Sequence, residues 1–299
     1  MPKTIKEKVP KNKIDIKKTR FLVTGGSGSF GRSIIKKLLS LGAQNIVSIS
    51  RNEDLIRQAQ REVNSPFVNF KLGDSTDRAM IENLMKDIDV VFHAAAIKHV
   101  SLAEKNPSET YRVNVLGLIN LLDSSSSLKR FVHISSDKAI GVMNCYGATK
   151  LLGEYLAKES NDIYNNNTYL IIRCPNLLGS RGSVTDVWMD QLRKNNKITI
   201  TDPEMTRYFV SLPDAGDFVV NLGLSDSDVK KIHYPLKYTK KYKIKDLAEA
   251  FLKVYGNKNS KIEIIGAFPG EKQHEDYIGD MPLTPVSGLI PILKELKLK

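Results

Sequence analysis

Tyr146 and Lys150, in Tyr146-Gly147-Ala148-Thr149-Lys150, are spaced to share one face of a helix, a phenol beside an ammonium. A phenol titrates near pH 10 and is a poor base at neutrality, but a neighbouring cation and the positive charge of an oxidised nicotinamide favour the phenolate. Tyr146 can then take a hydroxyl proton while hydride leaves the same carbon. A second motif, Thr24-Gly25-Gly26-Ser27-Gly28-Ser29-Phe30-Gly31, follows an apolar strand and runs straight into an apolar helix. Glycines there let the backbone turn tightly and approach a pyrophosphate, whose charge is met by N–H groups at the helix N-terminus. Gly25, Ser27, Gly28, Ser29, Phe30 and Gly31 are therefore candidate dinucleotide contacts.

The next strand ends in Ser50-Arg51-Asn52. An acidic residue there would hydrogen-bond the ribose hydroxyls of NAD; a hydroxyl followed by a guanidinium suits a 2′-phosphate, so NADP is expected ahead of NAD. Asp74, in Gly73-Asp74-Ser75 after the third strand, is placed either to accept from the adenine amino group or to cap a turn. Ser75 is grouped with it as a cofactor contact.

Those residues need a scaffold, and from Arg20 to about Arg173 short apolar runs alternate with helical patterns, as in βαβ units of a parallel sheet covered on both faces. Strands are predicted at Phe21 to Thr24, Asn45 to Ser50, Val68 to Lys71, Asp89 to His93, Arg130 to Ser135 and Tyr169 to Arg173. Ile34, Ile35, Leu38, Leu39 and Leu41 mark a helix that Gly42 stops. Further helices are expected over Glu109 to Asp123 and Asn144 to Glu159. After Pro175 come Gly/Ser-rich turns, an isolated strand at Lys197 to Thr201, and helices near Pro213 to Leu224 and Ile244 to Tyr255. The fold class is α/β: a doubly wound parallel Rossmann sheet with a smaller C-terminal substrate-binding α/β domain. The expected division is a basic arm over 1–19, the NADP-binding domain over 20–174, and a mainly substrate-binding domain over 175–299 that returns segments to the sheet.

At 299 residues, 41% hydrophobic and 26% charged, the chain can bury a core and is neither disordered nor fibrous in composition. No apolar run approaches the roughly 20 residues that span a bilayer, and the first residues are charged where a signal peptide would be apolar, so no membrane partner and a cytoplasmic address are expected. Cys145 and Cys174 are too few for a disulfide scaffold. His93, His99, His133, His233 and His274 show no ligand spacing, and no metal is expected. Half of the net charge of +12 sits in the first 20 residues, with Lys3, Lys6, Lys8, Lys11, Lys13, Lys17, Lys18 and Arg20. Lacking interleaved aromatics, this arm is a solvated leader rather than a nucleic-acid site.

With the glycine loop, His93-Ala94-Ala95-Ala96, Ser136 and the Tyr146/Lys150 pair assembled, the chain from about Arg20 to Tyr277 resembles the extended short-chain dehydrogenase/reductase family. Longer strings narrow the likeness: Ser50-Arg51-Asn52-Glu53, Ala95-Ala96-Ile97-Lys98-His99-Val100, Ser136-Asp137-Lys138-Ala139, Gly179-Ser180-Arg181-Gly182-Ser183-Val184, Met205-Thr206-Arg207 and Pro269-Gly270-Glu271-Lys272. Together they are similar to UDP-N-acetylglucosamine 4,6-dehydratases of surface-glycan pathways, most of all the branch that inverts C5. The resemblance implies that Ala94, Ala95 and Lys98 contact the cofactor, that Ser136 holds O4 beside Tyr146, that Lys138 removes the C5 proton and that Asp137 protonates the departing C6 hydroxyl. Hydride then returns from NADPH to C6. Such roles require a neutral Lys138, its pKa lowered by burial and a cationic neighbour, and a protonated Asp137, its pKa raised by burial.

For the UDP-sugar, the resemblance points to Arg181 and Arg207 at the diphosphate, with Lys98, Asn176, Gly182, Ser183, Val184 and Glu271 as further substrate contacts. It also implies a homo-oligomer. Two strings depart from the pattern: Arg173-Cys174-Pro175-Asn176 stands where relatives carry Arg-Tyr-Gly-Asn, and Phe268-Pro269-Gly270-Glu271 where they carry Arg-Pro-Gly-Glu. The second removes one expected diphosphate ligand. A UDP-hexose 4-epimerase and a retaining dehydratase are the enzymatic alternatives, and a nonenzymatic dinucleotide-binding protein whose basic arm engages nucleic acid is the distant one.

Overall fold

The computed structural model describes residues 14–164, 168–279 and 281–296; residues 1–13, with most of the expected basic arm, lie outside them. Strand and helix alternate from the start: β1 (Arg20–Thr24), α1 (Ser29–Ser40), β2 (Asn45–Ser50), α2 (Glu53–Val63), β3 (Val68–Leu72), α3 (Arg78–Met85) and β4 (Val90–His93). Next come α4 (Val100–Lys105), α5 (Pro107–Tyr111), a π-helical turn (Arg112–Leu116), α6 (Gly117–Asp123), β5 (Arg130–Ser136), α7 (Cys145–Tyr164) and β6 (Tyr169–Cys174). The helix expected over Glu109 to Asp123 is thus a helix interrupted by one wide turn.

Every residue of β4 and β5 is buried, which is why neither strand alternates apolar with solvent-facing residues. Phe21, Val23 and Phe92 pack with Ile34, Ile35 and Leu38 of α1 on one face, while Leu22, Val91 and Phe131 pack with Leu118, Leu121 and Leu122 of α6 on the other. Each such side chain contributes roughly 1.5–3 kcal/mol by leaving water. Gly42 follows α1 at φ +94°, the left-handed conformation that ends the helix without cost to glycine.

The remaining elements are β7 (Asn176–Leu178), α8 (Val184–Asn195), β8 (Lys197–Ile200), β9 (Thr206–Ser211), α9 (Leu212–Leu224), β10 (Ile232–His233), β11 (Lys240–Lys243), α10 (Ile244–Tyr255), β12 (Lys261–Ile264) and α11 (Val286–Glu295). The parallel sheet has the order β10-β6-β5-β4-β1-β2-β3. Six of its strands were legible in sequence; the seventh, β10, is two residues pairing with Ile171 and Ile172. Val219 and Val220 of α9 join the core under β1 and β4, so this helix and β10 return to the large sheet from beyond Pro175. The strand expected to be isolated at Lys197 to Thr201 is a correction: β8 pairs in parallel with β12 over Lys197–Ile200 and Lys261–Ile264. Trp188, Phe251, Leu247 and Leu289 form a second core beside that pair.

Two features of this topology prepare a site. Strand order reverses between β1 and β4, and ligands of open α/β sheets bind beyond the carboxyl ends of strands at such a switch point. A small sheet, β11-β9-β7, hangs Asn176 and Arg207 over the same end, and a bridge between Thr206 and His274 brings the 268–277 loop against it. No helix among the described residues is long and apolar enough to cross a membrane.

Candidate active site

A cleft of about 930 Å³ opens at the switch point, and all the candidate site residues named from the sequence line it. Its floor is the glycine loop. A Cβ on Gly25, whose φ is +68°, would come 2.9 Å from the backbone of Ala95, so loop and β4 end touch through main chain alone. A Cβ on Gly31 would run into the carbonyl of Gly25. Gly28 caps the helix with no side chain over the N-terminal amides of α1. A cradle stripped of side chains before helix amides fits a pyrophosphate, and we take the residues to suit a dinucleotide. Gly31→Ala is expected to cost about 1–3 kcal/mol of stability by overpacking, and to weaken dinucleotide binding at least tenfold; thermal melting and titration calorimetry check the two effects.

Ser50 and Asn52 serve the loop and helix ends: Ser50 Oγ accepts from the Ser27 amide at 3.1 Å and Asn52 accepts from Leu55 N at 2.8 Å as the cap of α2. Arg51 stands 3.1 Å from Glu109 and 3.8 Å from Asp74. Arg112, which sequence reading did not single out, joins Asp74 at 3.4 Å and Glu109 at 2.7 Å. Burial raises the Asp74 pKa, but hydrogen bonds from Thr76 and the two guanidiniums outweigh it and hold the carboxyl below its usual value. Asp74 also accepts from Thr76 N at 3.0 Å, so it is a turn residue as well as an anion at the expected adenosine end. Ser75 is buried, and its carbonyl is held by Asn120.

At the other end of the cleft β5 ends in Ser136 and leads into a short turn, Asp137–Ala139. Ser136 Oγ donates to Asp137 Oδ1 at 2.7 Å. Lys138 Nζ reaches three acceptors: Asp137 Oδ1 at 3.2 Å, Asn176 Oδ1 at 3.0 Å and Glu275 Oε1 at 2.8 Å. Asn176 Nδ2 in turn donates to Glu275 Oε2 at 2.7 Å and to the Tyr208 carbonyl at 3.0 Å. Burial first, then the Glu275 carboxylate, pushes Asp137 up to about 7, in the direction expected. Lys138 corrects the sequence reading. Burial works to lower its pKa, but Asp137 and Glu275 outweigh that and raise it, so the unliganded chain holds an ammonium where a neutral amine was expected. The reason is Glu275, a carboxylate far along the chain that no local motif announced.

Tyr146 is buried on α7, and burial raises its pKa; the opposing influences are Lys138 and a Ser136 hydrogen bond. Its cationic neighbour is thus Lys138 rather than the Lys150 of the i, i+4 pair. Lys150 is itself buried, which lowers it to about 8 despite Glu154. Helix α7 is fixed to the sheet by Arg173, whose Nε and Nη2 donate to Glu154 at 2.7 and 2.6 Å. Removing one partner of such a buried pair costs roughly 3–5 kcal/mol.

Above the cleft, Lys98 Nζ donates to the Arg181 carbonyl at 2.8 Å, and burial lowers its pKa. The Arg181 amide is held by Ser29 Oγ at 3.0 Å. Gly182, with φ +70°, has no room for a Cβ against His99, and its amide donates to Asp186 at 2.7 Å. Ser183 precedes α8 and Val184 begins it. Arg207 lines the same cleft as Arg181; it donates to the carbonyls of Thr206, Gln273 and Lys272 and stands 3.4 Å from Glu275, one ion pair away from Lys138. Glu271 accepts from Phe268 N at 3.1 Å, and Phe268 itself is half exposed and not part of the cleft wall. Among the described residues no group of three or more His, Cys, Asp and Glu is placed to hold a metal ion. His93 and His133 are buried and stacked 5.7 Å apart, both with lowered pKa values from burial.

The polysaccharide biosynthesis protein family matches residues 21–284. The chain is 36% identical over 270 residues to a UDP-N-acetylglucosamine 4,6-dehydratase (inverting) of Campylobacter jejuni, covering 87% of this chain and 78% of that one. It is 33% identical over 279 residues to a UDP-glucose 4-epimerase of Rickettsia bellii, covering 90% and 80%. Two other relatives are longer, and the chain spans 46% and 45% of them. Among solved structures, Pen from Bacillus thuringiensis superposes with a TM-score of 0.81 at 32% identity, over 88% of this chain and 81% of that one. The glycine loop at the switch point, the Tyr146/Lys150 helix and this match over nearly the whole chain agree: the chain belongs to the polysaccharide biosynthesis protein family, and it is an enzyme of the short-chain dehydrogenase/reductase type.

Proposed function

We propose that the chain is an NADP-dependent UDP-N-acetylglucosamine 4,6-dehydratase that inverts C5 and forms a UDP-4-keto-6-deoxy-N-acetylhexosamine. The observation that carries this reading is the buried contact of Asp137 and Lys138, 3.2 Å apart in the cleft that also holds Tyr146 and the glycine loop. An epimerase needs a base at O4 only; an acid and an amine at one further place suit water loss across C5 and C6.

When bound, the dinucleotide supplies the centre that takes a hydride from C4 and gives one to C6. Tyr146 takes the O4 proton, with Ser136 holding O4. Burial keeps the phenol neutral in the chain alone, so the phenolate forms only with added positive charge in the cleft. Once C4 is a ketone, the C5 proton is acidified; Lys138 removes it and Asp137 protonates the leaving C6 hydroxyl. Asn176 orients Lys138 and borders the sugar, as does Glu271. Arg181, beside Lys98 in the 180–184 turn, and Arg207 are the diphosphate ligands.

For the cofactor, Arg51 supports the 2′-phosphate reading, since a phosphate would replace Glu109 as its partner. Arg51→Ala is expected to weaken NADP at least tenfold and NAD less than threefold; equal losses in calorimetric titrations would remove the selectivity. A nucleotide sugar and a dinucleotide as reactants point to the cytoplasm. Exposed Leu116 and Leu152, on the π-helical turn and on α7, support a homo-oligomer.

The epimerase reading draws on the Rickettsia relative and on the full pairing of Lys138. Proton NMR of UDP-N-acetylglucosamine incubated with the enzyme and NADP separates the two. A new C6 methyl signal supports dehydration; an intact C6 hydroxymethyl with inverted C4 is the epimerase outcome.

A further inference from the structure

Lys138 cannot take a proton in the state in which the chain holds it. Its three ammonium hydrogens face three acceptors, on Asp137, Asn176 and Glu275, leaving no lone pair for a C–H bond. One proton has to leave first. Asp137 is the acid of the proposed reaction and Asn176 is an amide, so the third acceptor is the one able to receive it. Glu275 is buried, is held in the 268–277 loop by the Thr206–His274 bridge and by Arg207 bonds to the Gln273 and Lys272 carbonyls, and lies 2.8 Å from Nζ. Behind it a second cavity of about 140 Å³ is lined by Glu275, Lys138, Asp137 and Asn176. That is room for a few waters at about 30 Å³ each.

We propose that Glu275 is the positioning residue that primes Lys138: it accepts the ammonium proton so that the free amine can take hydrogen from C5. This rests on the dehydratase reading. The steps balance. Before water loss Asp137 is a carboxylic acid, Lys138 an ammonium and Glu275 a carboxylate. The N–H bond of Lys138 breaks and an O–H bond forms on Glu275, leaving an amine and a carboxylic acid. The amine takes the C5 proton, Asp137 gives its proton to O6, and water departs as the C5–C6 double bond forms. Glu275 then returns its proton to Asp137, to which its carboxyl is directly hydrogen-bonded, while the Asn176 amide donates to both and holds them together at 2.7 and 3.4 Å. The hydride returned to C6 equals the one taken from C4, and the proton returned to C5 equals the O4 proton that Tyr146 took, so the later steps leave Glu275 untouched. The first transfer runs against the pull of Asp137 and Arg207, which favour the ions, and is favoured by a sugar that displaces water from the cleft, because a buried ion pair carries a desolvation penalty on each ion that a neutral pair does not.

Every charged group facing the pair has a part. Arg207 and Lys138 stabilise the Glu275 carboxylate against burial, which works to raise it. Asp137 and Tyr146 act on Lys138, Asp137 acts on the buried Cys174 thiol, and Lys272 and Asp276 in the second cavity neutralise one another at 2.7 Å.

The test compares the wild-type chain with Glu275→Gln and Glu275→Asp, each with NADP and UDP-N-acetylglucosamine, by NMR assay from pH 5 to pH 9. In Glu275→Gln the Lys138 proton must leave to solvent. kcat is expected to fall about 100-fold at pH 7 with KM within threefold, and to climb with pH on the acid side where wild type is flat. Glu275→Asp recovers to within tenfold of wild type with the same flat acid side, and it carries the test if the glutamine variant fails to fold. A Glu275→Gln kcat within twofold of wild type overturns the proposal, as does an equal loss at every pH in both variants. If wild type itself makes no 6-deoxy product, it is the dehydratase reading that fails.

Discussion

Lys138→Met is expected to reduce formation of the 6-deoxy sugar by about 10²–10⁴-fold, the range that a positioned acid or base contributes, while the dinucleotide stays bound. Methionine keeps much of the lysine stem, so the wall of the cleft remains, but the cation that pairs with both Asp137 and Glu275 is gone. Two carboxylates left together in a buried site cannot both stay ionised, and one takes a proton. The variant therefore loses the base at C5 and keeps an acid. Calorimetric titration with NADP and NMR of the sugar measure the two halves separately. Turnover within tenfold of wild type would place the base elsewhere.

Asp137→Asn separates proton removal from water loss. The amide cannot protonate O6, so 6-deoxy product is expected to fall by a similar factor, about 10²–10⁴-fold. Lys138 still works at C5, and in D2O the recovered substrate gains deuterium there. Recovered substrate without deuterium would mean that the two residues act as one unit. The wild-type pH profile follows from the same carboxyl. Its folded pKa, about 7, lies above the ordinary 3.8, so the folded chain binds that proton more tightly than the unfolded one. The stability this contributes is fully present below the ordinary carboxylate range and is lost as pH rises through about 7. Activity that needs the acid form falls over the same upper limb, about tenfold per pH unit once the group has titrated.

What the sequence made legible was local. Thr24 to Gly31 announces its turn because only glycine tolerates the approach to Ala95, and the predicted strands of the large sheet are mostly apolar runs, β3 with its alternating Val68, Phe70 and Leu72 being the exception. Tyr146 and Lys150 are one helical turn apart and needed no tertiary knowledge. The misses are long-range. The β8–β12 pairing joins segments some sixty residues apart, from Lys197–Ile200 to Lys261–Ile264, and a four-residue strand carries no mark of its partner. The wide turn at Arg112–Leu116 has the composition of ordinary helix, yet it carries Arg112 to Asp74. Glu275 sits in a polar loop where an acid is usually solvated, and the tertiary contacts of that loop, the Thr206–His274 bridge among them, bury it against Lys138. That is why the direction of the Asp137 shift was legible and that of Lys138 was not: burial of a strand end can be inferred locally, a distant counter-ion cannot.

Substrate deuterated at C4 tests the central chemistry most directly. If the chain oxidises C4, eliminates water and returns the same hydride, the deuterium is found by NMR and mass spectrometry on the C6 methyl of the product, one label per molecule, in ordinary water. Deuterium remaining at C4 of an epimerised sugar would contradict the account.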